Sequence, residues 1–296
     1  MKHTATELKQ KQSLPLEAKI IMTKARIQQW IEHWDSDVYV AFSGGLDSTV
    51  LLDIVWSIDP TIPAVFSNTG LEFPEIKTFV KSFGDKVTWI KPKMSFRDVI
   101  DKYGYPILSK KVSMGISRYR NTKSEEQKSL RLHGGINPTS GRDQQRTIPK
   151  KYHYLVDAPF KISDRCCDIL KKNPFKLYEK ETGNKPIIGT MASDSDLRRV
   201  KYFQQGCNSF NSNQSAPLSF WLKSDILEYV EIKDLQISEI YSKGYDRTGC
   251  IFCMFGCHME KESRFLRLKT TNPKQYDFCL KTLGLGKVLD AIKVRY

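Results

Sequence analysis

The chain has 296 residues, of which 40% are hydrophobic and 27% are charged, a balance typical of a soluble protein with a sizeable core. No apolar run approaches the ~20 residues that a membrane helix needs, and residues 1–12 are too polar for a secretory signal. We therefore expect a cytoplasmic protein with no membrane segment. The formal net charge of +14 attracts polyanions, and it favours nucleic acid as a partner.

The first ninety residues alternate between helical and strand patterns. Apolar residues recur near helical spacing over 16–34, which predicts an amphipathic helix. After it, the sequence predicts strands and helices in alternation, at 38–42, 49–56, 63–66, 74–83 and 87–90. This rhythm predicts an α/β fold with a mostly parallel sheet and helices on both faces, and apolar spacing after Pro217 predicts a helical C-terminal part.

A glycine-rich turn separates the first strand from the next helix. Its residues are Ser43, Gly44, Gly45, Leu46, Asp47 and Ser48. Gly44 and Gly45 allow a tight turn close to an anion, and unpaired amides at the helix start would face a phosphate. The spacing matches neither G-x-x-x-x-G-K-[ST] nor G-x-G-x-x-G. A strand-to-helix turn without a ligand is the alternative interpretation.

The turn Ser-Gly-Gly-x-Asp-Ser resembles the pyrophosphate loop of the ATP pyrophosphatases, the adenine nucleotide α-hydrolases. The resemblance implies an adenine nucleotide α-hydrolase-like, Rossmann-like fold that cleaves ATP between its α and β phosphates. The loop would then hold the pyrophosphate that leaves, with Asp47 and Ser48 as catalytic residues. Asp47 is also a candidate Mg²⁺ contact, although a helix-start role explains an aspartate there equally well.

Two further segments follow predicted strands and so belong at the same edge of the sheet. One contains Asn68, Thr69 and Gly70, and the other contains Gly189 and is followed by Arg198. In order after the loop, they resemble the phosphoadenylylsulfate reductase branch, which implies that these five residues bind nucleotide. The second segment departs from that branch, because Met191 replaces an arginine and Asp194 replaces a glutamate.

Residues 110–151 form a strongly basic stretch that we interpret as a mostly looped insertion, since it contains Gly134-Gly135, Asn137-Pro138 and Ser140-Gly141. A solvated basic surface and a nucleic-acid surface remain alternatives. The basic residues are Lys110, Lys111, Arg118, Arg120, Lys123, Lys128, Arg131, Arg142, Arg146, Lys150 and Lys151.

Seven cysteines, an odd number, argue against a disulfide framework. Four of them form two pairs, Cys166-Cys167 and Cys250-x-x-Cys253, and two thiol pairs can complete one metal site, with zinc or iron equally open from spacing alone. The two segments resemble the halves of the iron-sulfur site in cluster-containing assimilatory sulfonucleotide reductases. That resemblance implies that all four cysteines bind one [4Fe-4S] cluster.

The remaining cysteines have no clear partner. Cys257, next to His258, is a candidate catalytic thiol, a spare ligand or a buried residue. Cys207 and Cys279 are expected to be structural.

Two classes of reaction fit these motifs. A sulfonucleotide reductase forming sulfite uses a Glu-Cys-Gly-x-His motif that this sequence does not contain. The alternative is ATP-dependent adenylation followed by sulfur transfer to DNA or tRNA, because family members thiolate transfer RNA or supply sulfur for phosphorothioate DNA. The resemblance implies ATP as substrate with Mg²⁺, and a cysteine-desulfurase-type sulfur donor. A non-catalytic nucleotide or nucleic-acid binding module is a third hypothesis.

The predicted domain organisation has three parts. They are an N-terminal helical extension over 1–36, a nucleotide-binding α/β domain over 37–219 that includes the basic insertion, and a helical C-terminal region over 220–296 that carries the second half of the iron-sulfur site.

Overall fold

The computed structural model describes residues 3–136, 141 and 147–296. The chain forms two compact units, each assembled from separate segments. The first unit comprises the chain up to Asn68, Glu72–Lys91 and Pro174–Thr248, and the second comprises Thr69–Leu71, Pro92–Asn173 and Gly249–Tyr296. The three-part domain division stays a prediction.

Eight short strands are described. They are β1 (Val38–Ala41), β2 (Ala64–Ser67), β3 (Val87–Ile90), β4 (Ile107–Leu108), β5 (Lys185–Ile188), β6 (Asn208–Ser209), β7 (Gln214–Ser215) and β8 (Met254–Phe255). Thirteen α-helices are described among the same residues. They are α1 (Ala5–Gln12), α2 (Leu16–His33), α3 (Leu46–Trp56), α4 (Pro74–Lys81), α5 (Phe96–Lys102), α6 (Lys110–Asn121), α7 (Glu125–His133), α8 (Asn173–Thr182), α9 (Asp196–Gln205), α10 (Lys223–Ile232), α11 (Arg264–Thr271), α12 (Pro273–Asp277) and α13 (Leu285–Ala291).

The first unit is built on a six-stranded sheet in the order β3-β2-β1-β5-β7-β6. All neighbouring strands are parallel except β6 and β7. In the central register, Val40 of β1 lies opposite Ala64 of β2 and Ile187 of β5. The predicted α/β class with a mostly parallel sheet is confirmed.

The strand order explains where a ligand is expected. The chain moves from β1 to β2 and β3 on one side, whereas β5 lies on the other side of β1. The sheet therefore has a topological switch point between β1 and β5. In open parallel sheets, ligands bind in the crevice outside the carboxyl ends of the strands at such a point.

The core of the first unit is centred on β1, β2 and α3. Every residue of β2 is buried, as expected for a strand covered on both faces. α3 begins at Leu46, three residues before its predicted start, because Gly45 takes the extended N-cap conformation. Asp47 and Ser48 therefore lie in the first helical turn.

A buried ion pair joins two helices of this unit. Lys19 Nζ of α2 lies 2.7 Å from Asp225 Oδ2 of α10, with only 2% and 9% of the two side chains exposed. The same Asp225 oxygen accepts the Leu222 amide at 2.7 Å. The carboxylate therefore balances a buried charge and also caps the start of α10.

The second unit contains the parallel pair β4 and β8 and the helices α5–α7 and α11–α13. The expectation that the basic stretch is mostly loop is wrong over 110–133, where α6 and α7 lie. Ser109 and Ser124 cap these helices, each accepting a backbone amide at 3.2 Å. The predicted turn at Asn137-Pro138 and the residues Ser140, Arg142 and Arg146 lie outside the described residues.

The basic residues of this stretch have different roles. Arg120 donates to the carbonyl oxygens of Leu155, Val156, Ala158 and Phe160, and burial lowers its pKa. It therefore holds the following segment in place. The exposed cations are Lys110, Lys111, Arg118, Lys123, Lys150 and Lys151. None of the described helices is both long enough and apolar enough to cross a membrane.

Candidate functional site

A tight turn connects β1 to α3 and contains the predicted phosphate loop. Gly44 has a φ of +71°, and a Cβ added to it would lie 2.8 Å from Val80 Cγ2. Position 44 therefore requires the left-handed backbone that glycine tolerates and also the absence of a side chain. Because α3 starts immediately after this turn, the amides of its first turn lie at the loop and have no carbonyl partner within the helix.

Two serine hydroxyls fix the conformation of the loop. Ser43 Oγ lies 2.9 Å from Ser48 Oγ, and the Ser43 amide donates to Ser48 Oγ at 3.2 Å. Ser48 Oγ in turn donates to the Gly45 carbonyl oxygen at 2.9 Å. Ser48 therefore shapes the loop, and its catalytic role stays a prediction.

The loop borders a cavity of about 680 Å³ at the carboxyl ends of β1 and β5, within the range of ~300–1,000 Å³ common for small-molecule sites. The loop residues Ser43 and Gly45–Ser48 line it, together with the predicted residues Gly189 and Arg198. A Cβ added to Gly189 would lie 2.9 Å from the Asp47 carbonyl oxygen. Glycine at 189 thus allows the end of β5 to contact the first turn of α3.

Three cations line the cavity, and each is near a carboxylate. Lys223 Nζ lies 3.3 Å from Asp47 Oδ1. Arg198 pairs with Asp194, and Arg247 Nη2 is 4.0 Å from the other oxygen of the same carboxylate. The cavity wall is therefore polar and carries both signs of charge, since the carboxylates of Asp47, Asp194 and Asp246 also line it.

The other predicted nucleotide-binding residues are placed as follows. The Asn68 amide donates to the Ile90 carbonyl oxygen at 2.9 Å, and Asn68 does not line the cavity. Thr69 and Gly70 belong to the second unit, where Thr69 Oγ1 accepts the Leu71 amide at 3.2 Å and Gly70 has a φ of +80°. Their role in binding nucleotide stays a prediction.

The cavity is also lined by residues to which the sequence assigns no nucleotide-binding role. Among them are Lys223, Tyr241, Arg247 and Thr248. Arg247 and Thr248 stand just before Cys250 in the segment that resembles the iron-sulfur motif. Their place in that segment is the sequence feature that could have marked them as site residues. Tyr241 begins the same segment, whereas Lys223 lies in no motif and the folded chain alone brings it to the loop.

The four predicted cluster cysteines line a second, smaller cavity, which lies within the second unit together with Lys171. Cys166 donates to Cys167 across 3.9 Å, and this hydrogen bond lowers the pKa of Cys167 and raises that of Cys166. Lys110 and Lys171 lower the pKa of Cys167 further. Cys250 is the main cause of a raised pKa at Lys171, so a half-buried ammonium faces the thiols.

The geometry around these thiols differs from that of a single-ion site. Within the described ranges, no three His, Cys, Asp or Glu side chains are close enough together to hold one metal ion. One zinc ion would need all its sulfur ligands at about 2.3 Å. A polynuclear cluster spreads its ligands more widely, and four thiols lining one cavity beside the ammonium of Lys171 are a suitable donor set.

The remaining cysteines are protonated thiols, of which Cys257 and Cys279 are buried and Cys207 is half-buried. Cys257 is 2% exposed and donates to the Met254 carbonyl oxygen at 3.1 Å. Burial raises its pKa to about 12, and burial raises the pKa of Cys207 to about 11 and that of Cys279 to about 12. Because the thiolate is the nucleophile, this environment weakens the catalytic interpretation of Cys257.

His258 is half-buried, unlike its buried neighbour Cys257. Its Nδ1 is buried without a hydrogen-bond partner among the described residues, and its ring meets that of Tyr152 edge-on at 6.0 Å. Burial, with a smaller contribution from Lys151, lowers the pKa of His258. The imidazole is therefore neutral at physiological pH, and it cannot stabilise a thiolate by its charge.

The fold and the cavity define an α/β protein with a phosphate-type loop at the switch point of a parallel sheet. Residues 37–104 and 125–255 match the phosphoadenosine phosphosulfate reductase domain. Because the match covers more than half of the chain, the protein belongs to this family.

Individual relatives are distant. An adenosine 5'-phosphosulfate reductase of Geobacillus kaustophilus is 28% identical over 75% of this chain and 74% of its own. An uncharacterized protein of Methanocaldococcus jannaschii is 22% identical over 88% of this chain, which spans about half (51%) of that relative. The chain is also similar to the crystal structure of a phosphoadenylyl-sulfate reductase from Candida auris, with 14% identity and a TM-score of 0.43. The match covers 84% of this chain and 97% of the Candida auris chain.

Proposed function

We propose that the protein is an ATP pyrophosphatase that activates a substrate by adenylation for sulfur transfer. An oxygen of the substrate attacks the α phosphorus of ATP, the bond to the β-phosphate oxygen breaks, and pyrophosphate leaves. A sulfur nucleophile then displaces AMP from the adenylated substrate. The observation that carries this proposal is a nucleotide-sized cavity with a phosphate loop, three cations and, among the described residues, no lining cysteine.

The leaving pyrophosphate is the most highly charged group in this reaction. Positioning and charge neutralisation dominate phosphoryl and nucleotidyl transfer, since little covalent chemistry is asked of the protein. The first-turn amides of α3 lie on one side of the cavity, and Arg198, Lys223 and Arg247 contribute positive charge to its wall. This arrangement supports a site for pyrophosphate at the loop.

Asp47 is the proposed Mg²⁺ contact. Its carboxylate lies in the first turn of α3 and lines the cavity, and carboxylates together with phosphate oxygens are the ligands that Mg²⁺ prefers. Mg²⁺ held there would neutralise charge on the phosphates. Lys223 balances the same carboxylate at 3.3 Å, and it would be free to turn toward a phosphate when the metal binds.

Cys166, Cys167, Cys250 and Cys253 are the proposed ligands of a [4Fe-4S] cluster. The four thiols line one cavity, and the positive charge of Lys171, maintained by its raised pKa, would offset the negative charge of a thiolate-bound cluster. When bound, the cluster would supply a redox-active or sulfur-carrying centre. Iron and acid-labile sulfide in protein purified without oxygen would support this assignment, whereas zinc without iron would contradict it.

We propose nucleic acid, DNA or tRNA, as the acceptor of sulfur, with a cysteine-desulfurase-type protein as donor. The net charge of +14 and the exposed lysines and arginine on and near α6 support a polyanionic partner. Charge reversal at Lys111 and Arg118 should weaken nucleic-acid binding and reduce its dependence on salt. Lys287→Glu and Lys293→Glu, also single charge reversals but outside this stretch, serve as controls.

The central experiment measures AMP and pyrophosphate released from ATP by anaerobically purified protein, with and without nucleic acid. Ser43→Ala and Asp47→Ala should abolish release. Ser57→Ala, which removes a hydroxyl bonded to the Ile54 carbonyl at the other end of α3, should not. If ATP binds but yields no product with any acceptor, the chain is a binding module instead.

Reduction of a sulfonucleotide to sulfite is the second candidate, favoured by the named activity of the relatives. It requires a nucleophilic thiol. The three cysteines outside the proposed cluster all have a pKa raised to about 11 or 12 by burial, which supports ATP cleavage over reduction. Sulfite formation from adenosine 5'-phosphosulfate without ATP cleavage would reverse this preference.

A further inference from the structure

Two hydroxyl groups from outside the phosphate-loop motif lie against the phosphate loop. Tyr241 Oη accepts the Leu46 amide at 2.8 Å, and Thr248 Oγ1 lies 3.3 Å from Tyr241 Oη. Both residues line the cavity. The loop is therefore in contact with a segment almost two hundred residues away in the chain.

The position of the Tyr241 hydroxyl changes what the loop presents to a ligand. The Leu46 amide belongs to the first turn of α3, where such amides bind phosphate oxygens. Because Tyr241 accepts this amide, a phosphate at this point would meet the phenolic O–H instead of the amide. Accepting one hydrogen bond polarises the hydroxyl and makes it a stronger donor.

The hydroxyl keeps its proton under physiological conditions. Burial is the main cause of a raised pKa at Tyr241, and the nearby Asp47 raises it further. The phenol therefore remains a neutral donor beside the loop, and it adds no negative charge that would repel a phosphate.

The segment that carries these hydroxyls is firmly held. Ile240 is completely buried, Lys243 forms an ion pair with Glu75, and the ring of Tyr245 packs edge-on against Phe73 at 4.8 Å. All these residues belong to the first unit. Tyr241 is thus fixed in place before any ligand binds, which lowers the entropy cost of using it for binding.

The second glycine of the loop shows how close the contact is. A Cβ added to Gly45 would lie 2.7 Å from Thr248 Oγ1 and 3.4 Å from Tyr241 Oη. The φ of Gly45 is ordinary, so its backbone conformation alone would allow alanine. Position 45 therefore requires glycine because the two hydroxyls leave no space for a side chain, whereas position 44 also requires it for its left-handed backbone.

We propose that Tyr241 is a phosphate-binding residue, whose hydroxyl accepts the Leu46 amide and donates to the pyrophosphate end of the nucleotide, with Thr248 orienting it. This inference rests on the proposed function, because it assigns the phosphate contacts of the same cavity. It extends that function by placing part of the pyrophosphate site on residues 241–248, outside the loop.

The test compares the binding of pyrophosphate, ATP and AMP to Tyr241→Phe by calorimetry with Mg²⁺ present. Loss of one hydrogen bond to a charged group should raise the dissociation constants of pyrophosphate and ATP about tenfold, while that of AMP stays unchanged. Tyr296→Phe, which removes a hydroxyl bonded to Asp290, should bind all three ligands as the wild type does.

Unchanged or tighter binding of pyrophosphate to Tyr241→Phe would overturn the inference, since the freed Leu46 amide would then bind phosphate at least as well. If that variant does not fold, Thr248→Val and Thr248→Ser provide the same test, with weaker binding expected only for valine. Pyrophosphate binds without turnover, so a failure of ATP cleavage would refute the proposed function and leave the pyrophosphate result standing.

Discussion

Replacement of Gly189 by alanine should damage the phosphate loop from the opposite side of the cavity. The new Cβ would lie 2.9 Å from the carbonyl oxygen and 3.1 Å from the carbonyl carbon of Asp47. Because both are backbone atoms, no side-chain rotation relieves the contact. Reaching an ordinary contact of 3.4 Å requires that β5 and the first turn of α3 separate by about 0.5 Å, and such overpacking costs about 1–3 kcal/mol of stability.

The same displacement should weaken anion binding. Hydrogen bonds lengthened by half an ångström lie outside the range of ~2.7–3.2 Å. Losing one charge-assisted bond costs about 1.5–3 kcal/mol, or roughly 10- to 150-fold in the dissociation constant of pyrophosphate. Calorimetry measures the binding, and urea unfolding measures the stability. Gly249→Ala is the control, since a Cβ there meets no described atom within 4 Å.

Equal pyrophosphate affinity in Gly189→Ala and the control, at a stability that also matches, would refute this reasoning. It would mean that β5 and α3 are not in the close contact described, or that the first-turn amides do not bind the anion. A loss of stability without a loss of affinity would refute the second step alone.

Three further predictions concern stability and thiol chemistry. Lys19→Met leaves the Asp225 carboxylate buried without its partner and should lower the free energy of unfolding in urea by about 3–5 kcal/mol. The double variant Lys19→Met/Asp225→Leu should recover part of that loss. Equal losses in the two variants would contradict a buried charge effect. Cys257→Ser should leave pyrophosphate release unchanged, and the wild-type rate should not rise with pH toward the raised pKa of about 12; loss of activity would restore Cys257 as a catalytic residue. Because the folded state lowers the pKa of His258, the unfolded chain binds more protons below pH ~6.5, and stability should fall there. His258→Gln should reduce this acid-side slope, and an unchanged slope would exclude His258 as its source.

Local chemistry explains the parts of the fold that the sequence predicts. Alternating apolar runs and turns define the strands, and β3 has the bounds predicted for it. The loop is recognisable from the sequence because the glycines and serines that shape it all lie within six consecutive residues. The end of α3 at Trp56 is also predicted, but its start is not, because propensity does not reveal that Gly45 caps the helix.

The basic stretch shows how composition misleads. Many cations and several glycines indicate a solvated loop, yet Ser109 and Ser124 begin two helices within it. Arg120 has the same charge as its neighbours, but its four carbonyl partners lie 35 to 40 residues further along the chain. A cation that stabilises a fold and one that faces solvent look the same in a sequence.

The charges around the cavity also depend on the fold and not only on the sequence motif. Met191 stands where the resembling reductase branch has arginine, and it places an apolar side chain, 2% exposed, against the cavity. Asp194 accepts the Met191 amide at 3.0 Å and attracts both Arg198 and Arg247. Arg247 thus adds a positive charge from a segment more than fifty residues away. The motif alone does not predict this third cation, because Arg247 reaches the cavity wall only through the fold.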